Sequence, residues 1–126
     1  FSGTNDGPLA AALTNPTELA RKRGRLNRSY PVQYRGQEWP DAEYAFLRLS
    51  AFLPINADSL MVGIIVAKFE QYPKLHAEVA ALGGVHFLER CSHIVNAKTA
   101  CMRAWEGSGR GSRFIRILIA AYEAAS

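Results

Sequence analysis

The chain has 126 residues, which is the length of a single domain with one continuous core. Apolar residues make up 48% and charged residues 21%, and no apolar run approaches the roughly 20 residues of a membrane-spanning helix. The formal charge of +4 favours anionic partners but does not choose among nucleotide, nucleic acid and phosphate. Two cysteines, Cys91 and Cys101, are too few for a disulfide framework, so we expect a reducing, cytoplasmic setting.

The first 29 residues read as an irregular, basic segment that packs on a domain formed by residues 30–126. A short helix is predicted from Pro16 to about Arg23, with Thr14 or Asn15 as its cap and Gly24 after its end. A basic cluster overlaps this segment, and it either contacts nucleic-acid phosphates or forms a solvated loop (Arg21, Lys22, Arg23, Arg25 and Arg28).

A strand and a turn are predicted over Tyr30–Trp39, because apolar and polar residues alternate until Gly36 breaks the run. Pro40 is predicted to open a helix that continues to about Phe52. Asp41 and Glu43 fall in its first turn, where negative charge is favoured.

The next helix is predicted from Ala57 to Tyr72, with Asn56 or Asp58 as its cap. Its middle is apolar nearly all round, which is typical of a central buried helix. Its last turns are predicted to return to the surface (Lys68, Glu70 and Gln71).

The second half of the chain is predicted to hold two further helices. The first runs from Pro73 to about Leu82 and ends at a pair of glycines, and the second follows Ser112, which can cap it. Between them, Val85–Cys91 reads as a strand or extended edge, and residues 93–105 favour no element. The elements together predict a mainly helical α+β domain with a few short strands.

A glycine-rich stretch, WEGSGRGSRF, precedes the last helix. The backbone N–H groups around Gly107 and Gly109, together with the helix start at Ser112, suit a bound phosphate or diphosphate. Two arginines stand there although a helix start disfavours cations, and a phosphate would explain them (Arg110 and Arg113, with Arg116 one turn on). The alternative is a flexible surface loop with solvated arginines.

Two carboxylic acids from separate segments, Glu43 and Glu106, are the candidate catalytic groups. Glu43 lies at the border of an apolar helix face, where partial desolvation raises a carboxyl pKa and suits acid–base chemistry. A pair of acids converging on one sugar is what cleavage of a glycosidic bond requires. Alternatively, Glu43 only complements the helix dipole, and Trp39 and Trp105 are packing residues rather than walls that stack on a base.

The remaining polar residues predict no metal or cofactor. Cys91 and His93 lack a second pair at zinc-site spacing, and His86 is expected on the surface of a strand. Both features are interpreted as structural.

Three motifs in their order along the chain resemble the NADAR, or YbiA-like, family. EWPDAEYAF at residues 38–46 is similar to a W-P-x-x-E-H helix start, and AKFEQYPKL at residues 67–75 is similar to K-F-x-Q-N-P-x-L. The stretch WEGSGRGSRFIRILI at residues 105–119 is similar to a late tryptophan–glycine turn before an apolar helix. The chain departs from the family pattern at Tyr44, which replaces a histidine, and at Leu47, Ser50 and Arg113.

The resemblance implies an α+β domain that handles ADP-ribose-like or N-ribosylated compounds. By position, Glu43 matches the helix-start glutamate of the family and Glu106 falls within one residue of a late acidic position. Trp39, Trp105 and Asn15 also match the family by position. Together with Tyr44 and the residues of the glycine-rich stretch, they make a predicted substrate-binding set of nine residues (Asn15, Trp39, Tyr44, Trp105, Gly107, Gly109, Arg110, Ser112 and Arg113).

The leading hypothesis is therefore an N-glycosidase that hydrolyses a base–ribose or ADP-ribosyl N-glycosidic bond. Its partner would be a nucleotide or ADP-ribose-like molecule, including ADP-ribosylated nucleic acid, without a metal, cofactor or membrane. Two alternatives remain open: a non-catalytic binder of ADP-ribose or a nucleotide, and a basic nucleic-acid-binding module.

Overall fold

A computed structural model describes residues 7–93 and 99–126, except for the side chains of Cys101 and Met102. Within these residues the chain is a mainly helical α+β fold, as predicted. The elements in chain order are α1 Pro8–Leu13, α2 Thr17–Lys22, β1 Val32–Tyr34, β2 Gln37–Trp39, α3 Ala42–Ser50, α4 Ala57–Gln71, α5 Pro73–Ala81, α6 Val85–Glu89, β3 Ser92–His93, α7 Ala100–Arg103, β4 Gly107–Ser108, a 3-10 turn Gly109–Gly111 and α8 Arg113–Ala124. No described helix is long and apolar enough to cross a bilayer.

The central helix α4 organises the fold. It contacts α8, α3, α5 and β1, and Asn56 caps it by accepting hydrogen bonds from the backbone N–H groups of Asp58 and Ser59. One side of α4 joins α1, α5, α6 and α8 in the larger core, whose centre includes Ile65 and Phe69. Another side carries Leu60 and Ile64 into a smaller core shared with the β1–β2 hairpin and α3. The prediction of a central buried helix is thus confirmed.

Two antiparallel pairs of short strands complete the architecture. β1 pairs with β2 with Val32 opposite Trp39, and the turn between the two strands uses Arg35 and Gly36 at positive φ. β3 pairs with β4, which places Ser92 opposite Ser108. The second pair ties the glycine-rich loop to the chain that follows α6.

Several local predictions were wrong. Val85–Glu89 is a helix rather than a strand, so exposed His86 lies on a helix. The helix α1 was not predicted within the first 29 residues, yet its Leu13 is 2% exposed and belongs to the larger core. Part of the segment 93–105, for which the sequence predicted no element, lies outside the described residues.

Candidate functional site

Asp41 joins the start of α3 to the start of α2. It is the N-cap of α3, where its Oδ1 accepts a hydrogen bond of 2.8 Å from the Tyr44 backbone N–H. Its Oδ2 accepts a second hydrogen bond of 3.0 Å from the Glu18 backbone N–H. The side chain is only 6% exposed, so one buried carboxylate serves two helix starts.

Glu43 lies in the first turn of α3, beside this buried carboxylate. Burial raises the pKa of the Glu43 carboxyl, and the negative charge of Asp41 raises it further. The Glu43 backbone N–H donates a hydrogen bond of 3.2 Å to the Asn15 carbonyl oxygen. The segment before α2 is thereby held against the helix start, next to a carboxyl group that is well suited to carry a proton.

Asn15 is buried next to this helix start and has an unused acceptor. Its Nδ2 donates to the Met61 Sδ at 3.3 Å, whereas its Oδ1 has no partner among the described residues. The hydroxyl oxygen of the fully buried Thr17 likewise has no hydrogen-bond partner among the described residues. A buried polar group left without a partner costs about 1–3 kcal/mol, so these two atoms mark a place where a ligand or water would be stabilised.

Lys68 reaches the same segment from α4. The residue is only 2% exposed, and its Nζ donates to the carbonyl oxygens of Ala12 at 2.5 Å and Thr14 at 2.9 Å. Burial lowers the pKa of the Lys68 amine to about 7, although nearby Asp41 acts in the opposite direction. The prediction that Lys68 returns to the surface was wrong.

A helical wheel could have indicated the position of Lys68. Met61, Ile65 and Lys68 are four and then three residues apart, which places them on one face of α4. Met61 and Ile65 are both buried, so the wheel indicates a buried Lys68, in contrast to the prediction that it returns to the surface. The sequence does not show that two carbonyl groups from α1 and the residues after it accept hydrogen bonds from the amine.

Trp105 carries the late segment of the predicted site to α3. Its ring meets the ring of Phe46 edge to face, with 6.1 Å between centroids. Phe46 is three residues after Glu43 and therefore on the same flank of the helix. Glu106, which is half-buried, directly follows Trp105. The structure thus brings the segments of the two predicted acids into adjacent positions.

Arg113 stacks on the ring of Trp105. Its guanidinium carbon lies 3.8 Å from the ring centroid, and the guanidinium also pairs with the Asp58 carboxylate at the start of α4. A cation at the start of α8 is therefore matched by a carboxylate of the protein itself. This contact accounts for one of the two arginines that the sequence placed at an unfavourable helix end.

The glycine-rich loop is held by internal contacts. Ser112 caps α8 by accepting from the Ile115 N–H, and its hydroxyl donates to the Trp105 carbonyl oxygen at 2.8 Å. Arg110 pairs with Glu89 at 2.9 Å, which supplies the second arginine with a carboxylate. The Gly109 N–H is also used, since it donates to the Cys91 carbonyl oxygen at 2.8 Å.

Gly107 and Gly109 serve the packing of this loop. Both adopt positive φ, +144° and +51° respectively. A Cβ on Gly109 would come within 2.5 Å of the Glu89 carbonyl oxygen, so only glycine lets the loop approach α6 this closely.

Tyr44 lies on a different flank of α3 from Glu43, and Trp39 of β2 lies beside Tyr44. They line a surface hollow of about 230 Å³ together with Gln37, Arg48, Leu49 and Phe52. An α-helix turns by about 100° per residue. Arg48 is five residues after Glu43 and therefore lies about 140° away from it around the helix axis. The structure therefore divides the predicted substrate-binding set: Asn15 and Trp105 lie on the side of Glu43, and Trp39 and Tyr44 do not.

The Glu43 carboxyl can hold a proton, and two buried oxygen atoms near it lack a described hydrogen-bond partner. Across the described residues, no three His, Cys, Asp or Glu side chains are grouped as metal ligands would be. Comparisons with family models, with curated proteins and with solved structures find no match for this chain.

Proposed function

We propose that the protein is an N-glycosidase that hydrolyses a base–ribose or ADP-ribosyl N-glycosidic bond. The observation that carries this proposal is the half-buried Glu43 carboxyl, whose pKa is raised by burial and by Asp41. A carboxyl group in this environment retains its proton to higher pH than a solvated one and can donate it to a leaving base. The resemblance of three motifs to the NADAR family supports the same assignment.

In the proposed reaction, Glu43 donates a proton to the nitrogen of the departing base. The bond between that nitrogen and the anomeric carbon breaks, and positive charge develops on the sugar. Water adds to the anomeric carbon and loses a proton, for which Glu106 is the proposed acceptor. The products are the free base and a sugar with a new hydroxyl group.

Two further residues are proposed to position the substrate. The Asn15 Oδ1 is buried and has no partner among the described residues, so it is proposed to accept a hydrogen bond from a sugar hydroxyl or a base amino group. Trp105 offers an aromatic surface next to the segment of Glu106. Because Arg113 already stacks on Trp105 and pairs with Asp58, its proposed contribution is to hold the tryptophan in place.

The test is a substrate panel. The purified protein is incubated with ADP-ribosylated guanosine, NAD and unmodified nucleosides, and the products are separated by liquid chromatography and identified by mass. The proposal expects at least one of three reactions: guanosine and ADP-ribose from ADP-ribosylated guanosine, nicotinamide and ADP-ribose from NAD, or a free base and ribose from a nucleoside. Tight binding without turnover would overturn the proposed catalysis and favour a non-catalytic nucleotide binder.

A further inference from the structure

The hollow on the outer flank of α3 has a wall of aromatic rings and one arginine. The rings of Trp39 and Tyr44 lie 6.2 Å apart between centroids, and Phe52 projects beside them with 77% of its surface exposed. The Arg48 guanidinium lies 5.2 Å from the centroid of the Tyr44 ring and donates to the tyrosine hydroxyl at 2.9 and 3.2 Å. Tryptophan, tyrosine and arginine are the residue types that most often dominate protein–protein binding energy.

Arg48 has no carboxylate within ion-pair distance in the described part of the chain. This distinguishes it from Arg21, Arg110 and Arg113, each of which has one. The nearest acid of the hairpin, Glu38, is on the opposite face of β2 from Gln37 and Trp39 and accepts from Gln33. The hollow therefore combines apolar side chains with one positive charge that has no carboxylate partner in the described part of the chain, which suits an apolar ligand with a negative group.

The position of Arg48 favours a carboxylate over a phosphate. Arg48 is in the last turn of α3, where exposed carbonyl groups add partial negative charge. Phosphate sites usually combine several cations or the N–H groups of a helix start, and this hollow offers one arginine. One singly charged carboxylate matches one guanidinium.

The extent of the apolar surface favours a protein segment over a small molecule. A hollow of about 230 Å³ is smaller than a drug-sized pocket, which usually holds at least about 300 Å³. A further exposed apolar side chain follows in the chain, because Ile55, three residues after Phe52, is 38% exposed. A peptide would place one bulky side chain in the hollow and cover the residues beyond it.

We infer that the hollow formed by Gln37, Trp39, Tyr44, Arg48, Leu49 and Phe52 is a docking site for an acidic protein segment. An apolar side chain of that segment would lie among Trp39, Tyr44 and Phe52, and a neighbouring carboxylate would pair with Arg48. This site is independent of Glu43 and of the proposed hydrolysis.

Two blocked peptides that differ only in charge test the inference. EELFEE and its neutral analogue QQLFQQ are titrated into the isotope-labelled protein, and amide and indole N–H shifts are followed by NMR. We expect EELFEE to shift the Trp39 indole and the amides of α3, and to bind about tenfold more tightly than QQLFQQ, as a charge-assisted hydrogen bond allows.

Variants assign the binding to the hollow. Arg48→Gln should weaken EELFEE binding about tenfold, to the level of the neutral peptide. Phe52→Ser should weaken both peptides, and the exposed Phe52 can be replaced without opening the core. Arg23→Gln, which removes an exposed arginine from the basic cluster, is the matched control and should change neither affinity.

Three results would overturn the inference. Equal weakening by Arg48→Gln and Arg23→Gln would indicate non-specific attraction of a basic protein for an acidic peptide. Absence of shifts around the hollow at saturating peptide would show that no such segment docks there. Adenosine monophosphate that binds in the hollow more tightly than either peptide would make it a nucleotide site. Glu43→Gln should leave peptide binding unchanged, which separates this test from that of the proposed hydrolysis.

Discussion

Replacing Lys68 with methionine should change how the stability of the fold depends on pH. In the folded protein the pKa of the Lys68 amine is about 7, because the residue is fully buried. In the unfolded chain the pKa returns to its ordinary value of 10.5. Between these values the unfolded state binds one more proton than the folded state. The contribution of Lys68 to the free energy of unfolding therefore rises with pH across this window and is smallest below it.

The magnitude follows from this difference. One pKa unit corresponds to about 1.4 kcal/mol, so the folded state gains about 3 kcal/mol from Lys68 between roughly pH 6 and pH 9. In its neutral form the amine still has two N–H donors, which match the carbonyl oxygens of Ala12 and Thr14. Lys68→Met removes both hydrogen bonds at every pH, and it also removes the cost of a buried charge at low pH.

The assay is urea unfolding of the wild type and Lys68→Met at several pH values, with the exposed Lys74→Met as control. The free energy of unfolding of the wild type should rise by about 3 kcal/mol relative to that of Lys68→Met from about pH 6 to pH 9. Other titrating groups cancel in this comparison. A difference that stays constant with pH, as expected for Lys74→Met, would refute the assignment of a buried amine with a lowered pKa.

Three further predictions concern the loop and the site. Thr17→Val should leave the free energy of unfolding unchanged or raise it by about 1 kcal/mol, because the buried hydroxyl oxygen has no described hydrogen-bond partner. A clear decrease of this free energy in urea unfolding would contradict the absence of such a partner. Gly109→Ala should cost about 2 kcal/mol or more, because the new Cβ meets the Glu89 carbonyl, whereas Gly111→Ala has open space and should be nearly neutral; equal melting temperatures would contradict the loop geometry. The rate of hydrolysis should fall as pH rises through the raised pKa of Glu43, since only the protonated carboxyl donates; a flat pH–rate profile would contradict general acid catalysis by this group.

The helices with strong start signals could be predicted from the sequence. Asn56 and Ser112 cap α4 and α8 as their side chains suggested, and both helices begin within one residue of the predicted position. Pro73 likewise opens α5. Such signals work because the cap and the proline act within one turn of the chain and need no partner from elsewhere.

The wrong predictions concern elements that depend on distant contacts. α6 has only five residues, too few to show a helical period, and its alternating apolar residues were read as a strand. α1 had a local signal, a proline followed by helix-forming residues, but its stability comes from packing Leu13 into the larger core.

The candidate site was only partly predictable. Burial beside the apolar face was expected for Glu43, and its raised pKa agrees with that reasoning. The carboxylate partners of Arg110 and Arg113 come from Glu89 and Asp58, which are 21 and 55 residues away in the chain. No local pattern indicates ion pairs between residues so far apart in the chain. The sequence analysis therefore explained the two arginines by a bound phosphate instead.

The most direct test of the proposed function compares the wild type with Glu43→Gln on the substrate that the panel identifies, at equal concentrations of folded protein. Glutamine keeps the shape of the side chain but cannot donate the proton of a carboxylic acid. The wild type should release a free base or nucleoside together with the matching sugar product, ADP-ribose or ribose, and the variant should be slower by about a hundredfold or more. Equal rates of product release from the two proteins would contradict the role of Glu43, and no release from any compound by the wild type would contradict the proposed N-glycosidase.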